Sequence, residues 1–173
     1  MGFIATMLLA SVAANADNVS VGIEHTSKGK RIPARAFIAL SVITALFSAL
    51  AVQLGSGLEG RVPSEYADWI AGILLGFVGI RLSLAEIDHK SALLERQWWL
   101  LIISLSRNNL AMGLSGGFLG FPPMLFGAML GGASGLLLWA GTRLGIRLQI
   151  HHSSWMHRTG GAILILIALI QFL

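Results

Sequence analysis

Long apolar runs alternate with short polar ones along the chain, and the apolar runs have the length of membrane-crossing helices. Six can be read, at roughly 3–23, 35–58, 69–87, 97–117, 122–145 and 159–173, each near the ~20 residues a helix needs to cross the hydrocarbon core. The last is the shortest and runs to Leu173, which sets that end close to one membrane face. No polar stretch between them is long enough to fold as a soluble domain. The pattern predicts an all-α integral membrane protein, a single membrane domain over residues 1–173 with six transmembrane helices.

Composition agrees. The 173 residues are 55% hydrophobic and 12% charged, against about 25% charged in an average soluble chain, and the mean hydropathy is +0.76. A net charge of +4 would suit nucleic acid only if it formed a basic face interleaved with aromatics. Here the basic residues are scattered through the connections, so lipid and not nucleic acid is the expected partner. The absence of cysteine excludes disulfides and thiolate metal sites. Ala14-Asn15-Ala16 resembles a signal-peptide cleavage site, but residues 1–16 contain no Lys or Arg, and an uncleaved first span is expected.

Charge then gives orientation. The first connection holds Lys28, Lys30, Arg31 and Arg35; the third holds Lys90 and Arg96, with Arg81 beside it; the fifth holds Arg143, Arg147 and Arg158. In the second, Glu59, Glu65 and Asp68 outnumber Arg61, and the fourth, Gly116–Pro123, has no charge. Connections one, three and five therefore belong in the cytoplasm and both termini in the periplasm. The alternation fits six spans and fails for five or seven.

The chain also resembles itself. "DNVSVGI" at 17–23 aligns with "NNLAMGL" at 108–114, setting Asn18 over Asn109 and Gly22 over Gly113. "AGILLGFVGI" at 71–80 and "GGAILILIAL" at 160–169 are a weaker match. Two halves of three spans each, about 3–87 and 97–173, must run in opposite senses, which makes two inverted three-helix repeats. In transporters so built, substrate sites lie near the midplane where the repeats meet.

The polar residues of the aligned stretches are the candidate site. An ionisable group within a span costs about 2.5–3.5 kcal/mol to insert and marks function; Asp17 is such a group. Its oxygens, with those of Asn18, Asn108 and Asn109, are hard donors suited to Mg, Ca or Mn. Arg107 precedes Asn108 as a candidate charge partner. Asn15 and the serines, Ser11, Ser104 and Ser115 among them, read as hydrogen-bonded links between helices. Gly127, Gly131 and Gly135, like Gly141 and Gly145 or Gly72 and Gly76, recur every four residues and predict close helix crossings. Trp69, Trp98, Trp99 and Trp155 read as interfacial anchors, and Trp139 as packing within the span. His151, His152 and His157 match no metal-ligand spacing. "SKGKR" lacks the glycine spacing of a P-loop. No nucleophile–base set is present, so no enzyme activity and no resident cofactor are expected.

These residues resemble a known family, the MntP-like manganese efflux pumps of bacteria, over nearly the whole length. The likeness rests on "ADNVSVG" in the first span, "GFVGIRLSLAE" ending the third, "SRNNLAMG" in the fourth and "GGAILILIALIQ" in the sixth. It implies a six-helix transporter of the inner membrane, two three-helix repeats, and a divalent cation, manganese, as the exported solute. The family places an aspartate in each of the first and fourth spans to bind the cation; Asp17 matches the first, and Asn108 stands at the second. Its third-span pattern of glycine, basic residue and glutamate is met by Gly79, Arg81 and Glu86, which makes Arg81 and Glu86 candidate gating or charge partners. Protons are a candidate counter-ion, carried by Asp17. Two other readings stay open on the residues: a non-transporting subunit or scaffold with a buried Asp17–Arg107 pair, and a transporter of a different solute, including an anion held by Arg107. The sequence carries no signal for an oligomeric state.

Overall fold

The computed structural model describes residues 2–27, 32–59 and 98–148, with scattered helical positions between Tyr66 and Ile80 and at Ile165 and Leu169. Most of the predicted third and sixth spans, Arg81, Glu86 and the three histidines of the fifth connection lie outside the described residues. The described elements are all helices: α1 (Gly2–Ala14), α2 (Ala16–Ser27), α3 (Ala34–Glu59), α4 (Trp98–Phe118) and α5 (Pro123–Leu148). Helices α3, α4 and α5 fall within a few residues of the predicted second, fourth and fifth spans. Gly2–Thr26, Ala34–Leu58 and Pro123–Arg147 are each long and apolar enough to cross a membrane. Their outward faces carry exposed apolar side chains such as Leu54, Leu136 and, at 83% exposure, Met124. Such faces are stable where the surrounding solvent is lipid. The protein is a multi-pass membrane protein.

The first span differs from the prediction of one continuous helix, because it is broken at Asn15 between α1 and α2. The cause is local. The Asn15 amide side chain donates to Ser11 O at 2.8 Å, the carbonyl four residues back that its own backbone N–H would use in an α-helix. That backbone N–H bonds Val12 O at 3.3 Å instead, and the next turn closes from Asn18 N to Asn15 O at 3.0 Å. Both are the tighter three-residue bonds of a 3₁₀ turn.

Small residues decide how the helices meet. A Cβ on Gly127 would lie 2.8 Å from Ala45 O, and one on Gly131 would collide with Ser41 O and Ala45, while Gly135 sits against Phe37 O and Ser41. Contacts on α5 thus descend α3 as they ascend α5, so these two helices are antiparallel. Their crossing is the glycine seam that the four-residue spacing predicts. Along α2 and α5 the contacts ascend together, Gly22 against Leu138 and Thr142, then Ile23 and Thr26 against Gly145. Along α3 and α4 they also ascend together, Gly113 against Ser48 and Gly117 against Val52. Helices α2 and α4, which carry the two aligned polar stretches, therefore run in opposite senses.

The turn joining α4 to α5 is set by Gly120, whose φ of 67° is the left-handed conformation that glycine takes without steric cost. Phe121 N bonds Gly116 O at 2.8 Å and Gly120 N bonds Gly117 O at 3.1 Å, the bond pair of a Schellman cap. Pro123 then opens α5, where a missing N–H costs nothing. Phe121 meets the rings of Phe3 and Phe126 edge to face, with centroids 4.8 and 4.9 Å away. Phe121 and Phe126 belong to a core with Met7, Ala10, Met112 and Leu130, and a second cluster gathers Leu40, Ile102, Leu105 and Leu138. Trp139 departs from its predicted packing role. It is exposed, and the Arg143 guanidinium lies 5.2 Å from its ring centroid, a cation–π contact.

Candidate functional site

Between the two apolar clusters, at the level of α5 that runs from Leu130 to Leu138, lies a polar layer. Asn15, Asn18, Asn109 and Ser134 are fully buried, and each comes from the interior of an apolar segment. Asn15 at the break and Asn109 on α4 form a closed amide pair, with bonds of 3.0 and 2.9 Å in the two directions. A third acceptor for Asn15 Nδ2 is Leu130 O at 3.4 Å. Asn18 Nδ2 donates to Ser134 Oγ at 2.7 Å, Ser134 O at 3.1 Å and Asn15 Oδ1 at 3.2 Å. Four polar residues thus tie the broken first span to α4 and α5.

On the α3 side the same layer continues with hydroxyls. Thr44 Oγ1 and Ser106 Oγ share a hydrogen bond at 3.0 Å, and Ser48 Oγ donates to Asn109 O at 3.4 Å. Each such interhelical bond is worth about 0.6–2 kcal/mol in a membrane. Asn15 therefore has the linking role its sequence position predicts.

Asp17 stands in the first turn of α2, so the helix break gives it a helix N-terminus near the middle of a membrane span. The partial positive charge at a helix N-terminus favours a carboxylate. Asp17 is partly buried, and its Oδ1 is shielded from solvent. Next to it, Asn18 Oδ1 is fully buried and accepts no hydrogen bond from the described residues. Among the described residues no three His, Cys, Asp or Glu side chains gather into a metal-binding group. Among the described residues, a cation held here would rest on one carboxylate and neutral oxygens.

Of the predicted site residues, Asp17 and Asn18 are neighbours at the break, and Asn109 joins them through Asn15. In this conformation the Asn109 oxygen is taken by Asn15. The backbone of Arg107 and Asn108 lies in α4, but their side chains fall outside the described residues, and with them the predicted approach of Arg107 to Asp17. Sequence reasoning missed Ser134, Thr44, Ser48 and Ser106. Ser134 lies inside "GGASG", where the glycines drew the reading toward packing; a hydroxyl within an apolar span was the available signal.

The family model described as "Putative manganese efflux pump" matches residues 60–172. The chain belongs to the MntP family. Several relatives carry the name "Putative manganese efflux pump MntP". The protein from Saccharophagus degradans is 29% identical over 172 residues, covering 94% of each chain. That from Bacillus licheniformis is 28% identical over 174 residues, covering 95% of this chain and 91% of its own. One from Methanosarcina mazei is 33% identical over 116 residues, covering 64% of this chain and 62% of its own. No solved structure matches the chain. The MntP family match begins after the second span, so the polar layer joins elements upstream of the matched residues, α1–α2 and α3, to two helices within them, α4 and α5.

Proposed function

We propose that the chain is a transporter of the cytoplasmic membrane that exports a divalent metal cation, manganese, by alternating access of two inverted three-helix halves. The observation that carries this reading is Asp17, a carboxylate at a helix break half-way along a membrane span. Discontinuous helices at the midplane are where transporters of this build hold ions. The manganese named for the relatives supports the choice of ion, as does the donor set. Carboxylate and amide oxygens suit manganese better than soft metals. In this reading Asp17, Asn18 and Asn108 face the cation, and Asn109 reaches it only when its pair with Asn15 opens. Asp17 is the group through which protons exchange for the metal.

Two features support halves of opposite sense. Gly22 meets α5 at Leu138 and Gly141, while its repeat partner Gly113 meets α3 at Ser48 and Ala51. One residue further on, Ile23 packs on Gly145 and Leu114 on Gly55. A single alignment relates both contacts, and the helices concerned, α2 and α4, are antiparallel. The test is metal accumulation and tolerance in cells with and without the gene, across manganese, zinc, cobalt and cadmium. Deletion should raise cellular manganese selectively; unchanged levels of all four metals would overturn the reading.

A further inference from the structure

Ser134 lies in none of the motifs on which the family resemblance rests, yet it orients a buried amide oxygen in the polar layer that accepts no hydrogen bond from the described residues. We propose that Ser134, helped by Asn15, fixes the Asn18 amide so that Oδ1 serves as a neutral ligand to the transported cation. The inference rests on the transporter reading above and assigns a ligand atom and a positioning residue within it.

The orientation of Asn18 follows from its surroundings. Its Nδ2 faces Ser134 Oγ at 2.7 Å, Ser134 O at 3.1 Å and Asn15 Oδ1 at 3.2 Å. The last two can only accept, and Asn15 Oδ1 already receives Asn109 Nδ2 at 2.9 Å. Exchanging oxygen and nitrogen of Asn18 would set one oxygen against two others and strand the amide hydrogens, so the side chain holds one orientation. Its oxygen is thereby turned away from these acceptors, fully buried, with no donor in reach among the described residues. Buried oxygens nearly always have a partner. Asn18 directly follows Asp17 at the N-terminus of α2, and a cation held by that carboxylate supplies the missing partner. The same cradle explains asparagine in place of aspartate at this position: a carboxylate would point an oxygen at Ser134 O and Asn15 Oδ1. Ser134 does not touch the cation; it acts through Asn18.

The test is manganese binding to the purified full chain, read from loss of the free Mn²⁺ paramagnetic resonance signal, with melting temperature taken with and without Mn²⁺. Partners that orient a metal ligand typically change affinity about 10–100-fold when removed. Ser134→Ala should weaken Mn²⁺ binding about tenfold and Asn18→Ala about 100-fold, the ends of that range, and Ser134→Thr, which keeps the hydroxyl, should restore most of the loss. A purely structural serine would lower the metal-free melting temperature and leave the Mn²⁺-induced rise intact, and that result overturns the assignment. Asn18→Asp keeps the side-chain size and guards against a misfolded alanine variant. It should bind Mn²⁺ no more tightly than the native chain despite its added charge, and tighter binding overturns the cradle. Native-like affinity in both alanine variants overturns the inference alone. A native chain that binds no Mn²⁺ overturns the transporter reading itself.

Discussion

Asn15 and Asn109 face one another as a closed pair of amides, Asn15 Nδ2 donating to Asn109 Oδ1 at 3.0 Å and Asn109 Nδ2 donating back to Asn15 Oδ1 at 2.9 Å. The pair bridges the break in the first span to the middle of α4. In the alternating-access reading proposed above, these helices move relative to each other and this pair resists that motion.

The coupling between the two asparagines is measurable. Asn15→Ala and Asn109→Ala should each destabilise the protein, and the double variant should cost less than the sum by about 0.6–1.7 kcal/mol, the range of interhelical bonds in membranes. A double-mutant cycle on unfolding in mixed micelles gives the number. Strict additivity would show that the pair contributes nothing beyond its separate members.

Neighbouring glycines on α5 should respond in opposite ways. A Cβ on Gly131 meets Ser41 O and Ala45, whereas one on Gly132 meets nothing within 4 Å. Gly131→Ala should therefore cost about 1–3 kcal/mol as overpacking does, and Gly131→Leu should lower the folded yield more than Leu137→Ala. Gly132→Ala should leave stability unchanged or raised by up to about 1 kcal/mol from helix propensity. Equal melting temperatures for the two alanine variants would disprove the close crossing of α3 and α5.

Reporter fusions check orientation. The segment between α2 and α3 carries Lys28, Lys30 and Arg31, so a reporter placed there should be active as a cytoplasmic one, and a fusion at Leu173 as a periplasmic one. A C-terminal fusion active only in the cytoplasm refutes the six-span topology.

Charge at the site can be altered in both directions. Asp17→Asn should reduce manganese export about tenfold or more with folded yield retained, followed as manganese loss from preloaded cells. Arg107→Leu combined with Asn108→Asp should preserve or strengthen export, because both changes remove positive charge. Undiminished export by Asp17→Asn removes this carboxylate from the mechanism.

Much of this was legible in the chain. Helices α3, α4 and α5 lie where the apolar runs place them, because a span must satisfy its backbone within itself and so shows its length in hydropathy alone. The four-residue spacing of Gly127, Gly131 and Gly135 announced a close crossing because helical geometry puts such residues on one face. The membrane environment and the family likewise follow from residues read in order, since both depend on composition and local motif.

What only the tertiary structure decided is which polar atoms meet. The sequence ranks Asp17 and the asparagines as costly within a membrane, but burial cost says nothing of partners. Asn15 lies 94 positions from Asn109 and Asn18 lies 116 from Ser134, and the close crossings at Gly22, Gly131 and Gly141 bring them together. The break at Asn15 is likewise a choice between two hydrogen bonds to Ser11 O, one from the backbone and one from the side chain. Packing of that side chain against Asn109 and Leu130 O favours the second. Hydrophobic pattern fixes where a helix lies, because burial is additive along the chain. Hydrogen-bond identity does not follow from it, because each bond needs two atoms within about 3 Å, and only folding sets that distance.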